Sequence, residues 1–255
     1  MSGHTVLILF ISLVIYCLAE EYCRKDLCQG MPHIACENPT GAFGSACPPS
    51  VTVRELDQDL KNILVRDHNL ERQKWASGKG KFPRSACRME TVKWDDDLAN
   101  LALLNAKTCT TEHDACHNIG KYMYSGQNIY LVTFQQCPRR RPQIEITTSE
   151  LLRNATKSWA REEKNFESDH DLQSFPLPQI DKEPIGHLTV VINEKSNAVG
   201  CGIVTYMMPN NTREFILTCN YAYTNYLHGT VYSQCEKAGS QCPNGLSSQY
   251  PPLCA

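Results

Sequence analysis

The sequence VGCGIVTYMMPNNTREFILTCNY, residues 199–221, carries the clearest structural signal in the chain. Two runs rich in β-branched and aromatic residues, 199–207 and 213–221, flank the turn-forming residues 209–212, which predicts an antiparallel hairpin. If the turn centres near Asn210, Cys201 and Cys219 are equidistant from it and lie opposite each other. The register therefore predicts a disulfide across the two strands.

The segments upstream of the hairpin show helical periodicity. Apolar spacing predicts a first helix over 53–76, and the acidic run 95–97 favours the start of a second helix that ends near Cys109. A third helix is expected to begin at 147–149, where Thr or Ser can cap it. The apolar positions are Leu56, Leu60, Ile63, Leu64 and Leu70 in the first helix, and Leu98, Leu101, Ala102 and Ala106 in the second.

The inward stripe of the third helix includes one carboxylate. Its members follow at helical spacing and are Leu152, Ala155, Trp159, Glu162 and Phe166. Glu162 is therefore expected to face protein, where a carboxylate must find a partner or become protonated.

The region between this helix and the hairpin is divided in two. Proline-rich residues 168–186 predict a loop over the surface, and residues 187–193 predict the first of three strands. Helices followed by a late antiparallel sheet predict an α+β domain with α-β-α layers.

The two ends of the chain predict an exported protein. The apolar run 6–18, with small residues before position 20, predicts a signal peptide over 1–19. A cysteine-rich arm over 20–52, a main domain over 53–226 and a cysteine-containing extension over 227–255 are expected to follow. Asn154 and Asn210 are candidate N-glycosylation sites.

The composition limits the partners. A net charge of −2 does not favour nucleic acid as a partner, and no later segment is apolar enough for stable membrane insertion.

The cysteine count is odd after export. Of 14 cysteines, 13 remain after removal of the signal peptide, so one cannot pair within the chain. The run Arg139–Arg140–Arg141 is interpreted as a solvated loop, with an anionic sugar or lipid headgroup as the alternative.

Several short motifs in this order resemble the CAP superfamily of cysteine-rich secretory, antigen 5 and pathogenesis-related proteins. They are His68-Asn69-x-x-Arg72, Trp94 to Ala99, Ser125-Gly126-Gln127-Asn128, Trp159-x-x-Glu162, Gly186-His187-Leu188-Thr189, Val199-Gly200-Cys201-Gly202 and Cys219-Asn220-Tyr221. The resemblance covers roughly residues 54–225 and is nearest to the antigen 5 proteins of flies. It implies an α-β-α sandwich.

The resemblance also implies a cleft lined by two histidines and two acids. The matching residues are His113, His187 and Glu162, while the second acid of the family is Gln127 in this chain. Two imidazoles and one carboxylate suit Zn²⁺ with an open position, so these three residues are tentative metal ligands. No cofactor is required for the favoured function.

Antigen 5 proteins imply a set of disulfides. They join Cys23 to Cys36, Cys28 to Cys116, Cys47 to Cys109 and Cys201 to Cys219. The remaining residues Cys87, Cys235, Cys242 and Cys254 are expected to form two more pairs, leaving Cys137 as the odd thiol.

Three functions compete. The resemblance favours a secreted, monomeric, non-enzymatic protein of the saliva or venom type, an allergen, scavenger or modulator of host physiology that binds an extracellular host protein or a small lipid. The alternative is a metal-dependent hydrolase that uses His113, His187 and Glu162. Gln127 argues against hydrolysis because an amide cannot accept the proton of an attacking water. The third is a structural secreted protein whose disulfides resist proteolysis.

Overall fold

The computed structural model describes residues 21–135, 146–209 and 211–255. A short 3₁₀ turn, Arg161–Asn165, continues the fourth helix. The elements in chain order are α1 Ile34–Glu37, β1 Thr52–Val53, α2 Gln58–Ala76, β2 Ser85–Ala86, β3 Lys93–Trp94, α3 Asp96–Ala106, β4 Gly126–Gln135, α4 Thr148–Ala160, α5 His170–Gln173, α6 Gly186–Val191, β5 Ala198–Met207, β6 Thr212–Tyr221 and β7 Gln234–Cys235.

A mixed sheet with the strand order β1-β5-β6-β4 forms the middle layer, and β3 pairs in parallel with β5. The hairpin β5-β6 has the predicted register: Cys201 lies opposite Cys219, and a disulfide joins them. The ten residues of β4 pair with β6 along their whole length. The second and third residues of β4, Gln127 and Asn128, position the candidate site.

Helices cover both faces of the sheet, which confirms the α-β-α sandwich. Helix α3 packs directly on β5, because a Cβ atom at Gly200 would lie 2.2 Å from Ala99 N and one at Gly202 would lie 2.4 Å from Leu103 Cα. Only glycine permits this close approach. The main hydrophobic core fills the opposite face and includes residues of α2, α4 and α6.

The helix starts follow from their caps. The Asp57 side chain accepts the Leu60 N–H, so α2 begins at Gln58 and not at 53 as predicted. Thr147 and Glu150 form a reciprocal capping box at the start of α4, within the predicted window. The predicted stripe of α4 is buried from Leu152 to Phe166.

Two further predictions about these segments were wrong. Leu70 was placed on the inward face of α2 but is 48% exposed. Helix α3 ends at Ala106, close to the predicted end near Cys109, whose φ of 57° is incompatible with a continuing helix. The segment 168–186 is not loop throughout, because α5 lies within it.

The predicted strand over 187–193 was also wrong, because this segment forms α6. Thr189 and the two valines after it favour strands in isolation. In the fold, the Thr189 hydroxyl donates to the Ile185 and Gly186 carbonyl oxygens at 2.9 and 3.0 Å, and Leu188 to Val191 are buried. Tertiary packing outweighs the local preference here.

Six disulfides join cysteines within the described parts of the chain. Four are those of the resemblance, Cys23–Cys36, Cys28–Cys116, Cys47–Cys109 and Cys201–Cys219, and the other two are Cys87–Cys235 and Cys242–Cys254. Cys87–Cys235 fastens the C-terminal extension to the body, which it also contacts through the pairing of β2 with β7, and Cys242–Cys254 closes a loop within the extension.

Some predictions fall outside the described residues: the signal peptide, Cys137, the arginine run 139–141 and the glycosylation site at Asn210. Asn154 is exposed on α4. Within the described ranges, no helix combines the length and apolar character needed to cross a bilayer.

Candidate functional site

His113 lies exposed in the loop between α3 and β4, and its Nδ1 is 2.8 Å from Gln127 Oε1. The Gln127 amide nitrogen donates to Asp114 Oδ2 at 2.7 Å and to Asn220 Oδ1 at 3.0 Å. Because that nitrogen faces two oxygens, the amide oxygen is the acceptor, and neutral His113 carries its proton on Nδ1. Its Nε2 is the nitrogen left to accept a hydrogen bond or bind a metal.

Asp114 is the centre of a polar network beside this pair. It accepts hydrogen bonds from His117 Nδ1 at 2.7 Å, from Gln127, and from Asn105 Nδ2 at 3.2 Å. Burial acts to raise the pKa of Asp114, but these hydrogen bonds outweigh it and hold the pKa below its usual value. The Thr218 hydroxyl donates to Asn105, so the network joins the loop to both α3 and the sheet.

Glu162 and His187 form a second pair. His187 Nδ1–H donates to Glu162 Oε1 at 2.5 Å, and the Leu188 N–H donates to Oε2 at 2.9 Å. The imidazole stacks beside Trp159 at a ring-centroid distance of 6.5 Å and an interplanar angle of 11°. Glu162 is 7% exposed, which confirms that it faces protein, and its partners are His187 and the start of α6.

A chain of neutral groups lies next to this second pair. Asn128 Nδ2 donates to the Tyr221 hydroxyl at 3.2 Å, that hydroxyl donates to His68 Nε2 at 2.9 Å, and His68 Nδ1 donates to the Leu64 carbonyl at 2.7 Å. Burial lowers the pKa of His68 to about 4, so the ring is uncharged at neutral pH. His68 is therefore structural.

The two pairs meet the sheet at one dipeptide but on opposite faces. Neighbouring strand residues direct their side chains to opposite sides. Gln127 reaches His113 and Asn220 on the α3 side, whereas Asn128 donates to the His187 carbonyl oxygen at 3.0 Å on the other side. The four predicted cleft residues are thus joined as two hydrogen-bonded pairs, His113–Gln127 and Glu162–His187.

The proline-rich segment forms a cavity of about 290 Å³ that we did not predict from the sequence. It is held to the body by backbone bonds from Phe175 N–H to Gly229 and from Val231 N–H to Leu172. The sequence pattern that could have indicated this cavity is the set of apolar residues between the prolines. The apolar part of the lining consists of Phe175, Pro176, Leu177, Pro178, Pro184 and Ile185.

The charged part of the cavity lining, which we call its rim, is mostly acidic. Glu167, Asp171 and Glu183 line it together with a single cation, Lys182. Lys182 Nζ is 2.7 Å from Glu167 Oε2, so this cation is already paired. Gly186 also lines the cavity and precedes His187 in the chain, which places the cavity next to the Glu162–His187 pair.

Comparison with known families supports the resemblance. The family model for CAP, the cysteine-rich secretory protein family, matches residues 65–221, which is more than half of the chain. The chain belongs to the CAP family. This confirms the antigen 5-type resemblance inferred from the motifs.

Relatives of this CAP protein have names of allergens. Venom allergen-1 of Aedes aegypti is 35% identical over 260 residues, covering 100% of this chain and 95% of the relative. Antigen 5 like allergen Cul n 1 of Culicoides nubeculosus is 32% identical, with coverages of 79% and 90%. These names, together with the six disulfides, indicate an exported protein of the venom or saliva type.

Solved structures show the same fold. NaASP2, solved with Zn²⁺, matches with a TM-score of 0.62 at 19% identity, over 82% of this chain and 100% of that one. BmVAL-1 matches with a TM-score of 0.61 at 22% identity, over 82% of this chain and 97% of that one.

The side chains of this CAP protein do not fit a three-ligand zinc site. Among residues 21–135, 146–209 and 211–255, no three or more His, Cys, Asp or Glu side chains are grouped to hold a metal ion. His113, His187 and Glu162 thus do not form the predicted ligand set. Both oxygens of Glu162 are already hydrogen-bonded, and Gln127 supplies a neutral amide where a catalytic base is needed.

Several residues with structural duties were not recognised from the sequence, although they stand within the motifs of the CAP resemblance. Arg72 is fully buried and donates to the carbonyl oxygens of Glu90, Val191 and Asn193 at 2.6–2.9 Å. It thereby fastens the end of α6 to α2. The buried side chains around Gln127 and Asn128 support the two pairs in the same way.

Proposed function

We propose that this CAP protein is a secreted protein of saliva or venom that acts by binding, and that its ligand is a small uncharged lipid such as a sterol. The observation that carries the proposal is the apolar cavity under residues 167–186. Sequestering such a ligand from its surroundings would make the protein a scavenger and a modulator of host physiology.

The lining of the cavity favours an apolar ligand. Phe175, Leu177 and Ile185 present hydrophobic surface to a space of about 290 Å³, close to the lower end of the usual range for ligand pockets. Each methylene that leaves water for such a lining contributes about 0.8 kcal/mol. An apolar molecule is therefore the class that gains most here.

The rim argues for a ligand without negative charge. Glu167, Asp171 and Glu183 outnumber the single cation Lys182, which is paired with Glu167. A fatty-acid carboxylate entering this rim would meet like charge and find no free cation within it. A sterol hydroxyl has no such penalty and can donate to one of the rim carboxylates.

We expect the histidine pairs to support the fold of the binding protein and not to carry out catalysis. Both carboxylate oxygens of Glu162 accept hydrogen bonds, from His187 and the Leu188 N–H, and the Gln127 amide bonds to His113, Asp114 and Asn220. Groups held in this way position α6 and the loop before β4.

The test is a sterol-binding titration of the secreted protein with a fluorescent sterol, followed by displacement with unlabelled sterol and with a fatty acid. We expect the sterol to displace the probe and the fatty acid to displace it poorly. Tight binding of the fatty acid alone would overturn the assignment of the ligand class.

A matched pair of variants locates the binding. Leu177 lines the cavity, whereas Ile180, in the same segment, is fully exposed and is not among the lining residues. Leu177→Glu should abolish sterol binding, and Ile180→Glu should preserve it. Equal affinities of the two variants would show that the ligand binds elsewhere.

A further inference from the structure

The outer surface of α4 and the 3₁₀ turn carries a row of basic side chains. Arg153, Lys157, Arg161 and Lys164 follow at steps of 4, 4 and 3 residues. At about 100° per residue they fall within an arc of about 80°, and they extend over about 16 Å of helix. We name these four residues the α4 stripe.

The α4 stripe lies opposite the buried side of the helix. Leu152, Ala155, Trp159 and Glu162 face the core and are 0–7% exposed. Three stripe residues are exposed and Arg153 is half-buried, so their charged groups project from the molecule. No large hydrophobic residue between 148 and 165 is exposed.

The carboxylates of the same element have other partners. Glu150 caps the helix through Thr147, Glu162 binds His187, and Glu163 pairs with Lys74. The pKa of Glu150 is lowered first by the hydrogen bonds from Thr147 and only last by the charge of Arg153. In the described parts of the chain, none of the four stripe cations has an ion pair or a side-chain hydrogen bond.

A fifth cation lies next to the end of the stripe. Lys81 Nζ donates to the backbone carbonyl oxygens of Lys164 at 3.0 Å and Phe166 at 2.5 Å. These bonds place the ammonium group beside the 3₁₀ turn without neutralising it. The basic surface therefore continues from α4 onto the segment after α2.

We propose that the α4 stripe, with Lys81, binds a linear sulfated polysaccharide of the heparan sulfate type. Evenly spaced cations along one line match a chain of repeating sulfates, and Arg and Lys form charge-assisted hydrogen bonds with such oxyanions. The whole chain has a net charge of −2, so attraction to a polyanion cannot come from its overall charge. A lipid surface fits less well, because an interfacial helix presents exposed apolar side chains that this one lacks.

The test compares two charge reversals of equal size on a heparin column and by calorimetry with a heparin oligosaccharide. The double variant Lys157→Glu/Arg161→Glu alters the stripe. The control Lys25→Glu/Lys237→Glu changes the net charge equally at exposed lysines whose side chains have no described partner. We expect the stripe variant to lose affinity by about tenfold or more, and the control to lose much less.

Three further arms decide between explanations. De-sulfated heparin should not bind, and equal binding of it would overturn the proposal. Alanines at Arg139–Arg141 should leave most of the affinity intact, and loss of binding in that variant alone would assign it to that run instead. Binding to phosphatidylserine vesicles with none to heparin would also overturn it. Asn154→Gln, tested in parallel, removes any glycan from the residue beside Arg153.

The stripe residues do not line the apolar cavity. Loss of heparin binding with sterol binding retained, or the reverse, therefore distinguishes failure of this proposal from failure of the proposed function. Unchanged thermal unfolding of the variants, expected for exposed positions, shows that they are folded.

Discussion

The two faces of β4 at Gln127 and Asn128 hold their histidines by different means. On the α3 face, an ionised carboxylate, Asp114, binds the neighbouring amides and His117. On the opposite face, the buried contacts from Asn128 through Tyr221 to His68 are between neutral groups. The network around Asp114 therefore depends on a carboxylate that stays ionised, and the chain through His68 depends on an imidazole that stays unprotonated.

This difference explains why similar residue types have different roles. His68 is fully buried and uncharged, and it supports the sheet. His113 is exposed and hydrogen-bonded to an amide, and His187 is hydrogen-bonded to a carboxylate. The two faces should consequently fail under different perturbations, which the following variants test.

The largest effect is expected for Arg72, which anchors α6 on the face of the sheet opposite α3. Arg72→Met would remove the side-chain donor from the carbonyl oxygens of Glu90 and Val191, and would leave that of Asn193 with only the Ser196 N–H. We expect a loss of about 3–5 kcal/mol in the free energy of unfolding, measured in urea. The control Arg66→Met removes an exposed arginine paired with Asp67 and should cost less than about 1 kcal/mol. Equal losses would contradict this role of Arg72.

The chain of neutral groups through His68 should weaken in mild acid. Because the pKa of His68 falls from about 6.5 in the unfolded chain to about 4 in the fold, the unfolded state binds more protons between these values. Its contribution is present above pH about 6.5 and decreases by about 3 kcal/mol as the pH falls to about 4. His68→Gln retains a donor and an acceptor but does not titrate. Its unfolding free energy should fall less steeply in this window, and parallel pH profiles would refute the assignment.

The charged face should weaken only in stronger acid. Since the pKa of Asp114 lies below its ordinary value of 3.8, its contribution is present above that value and is lost as the pH falls through the lower folded pKa. Asp114→Asn should cost about 1.5–3 kcal/mol at neutral pH, where charge-assisted hydrogen bonds are lost. The difference from the natural protein should shrink below pH about 4 in acid unfolding curves. A difference that persists at low pH would indicate a steric cause.

Much of the fold follows from local pattern. The turn position sets the register that places Cys201 opposite Cys219, and the capping residues before Glu150 place the start of α4. These features depend on neighbours in sequence, so the sequence alone predicts them. Helix α6 could not be predicted in this way, because Thr189 and the valines after it favour a strand until the core covers them.

The members of the two histidine pairs were named from the sequence, but their arrangement and the cavity were not. The partnership of Glu162 follows from its place in a buried stripe. The separation into two pairs follows from the alternation of Gln127 and Asn128, which requires knowing that β4 begins at Gly126. The cavity depends on backbone bonds to residues 229 and 231, far along the chain, and no local pattern encodes them.

The most direct test of the account is a crystal structure of the secreted protein with a bound sterol. We predict density for the ligand in the cavity under residues 167–186, in contact with Phe175, Leu177 and Ile185, while the His113–Gln127 and Glu162–His187 hydrogen bonds remain as described here. Ligand density between the two histidine pairs, with the cavity empty, would contradict it.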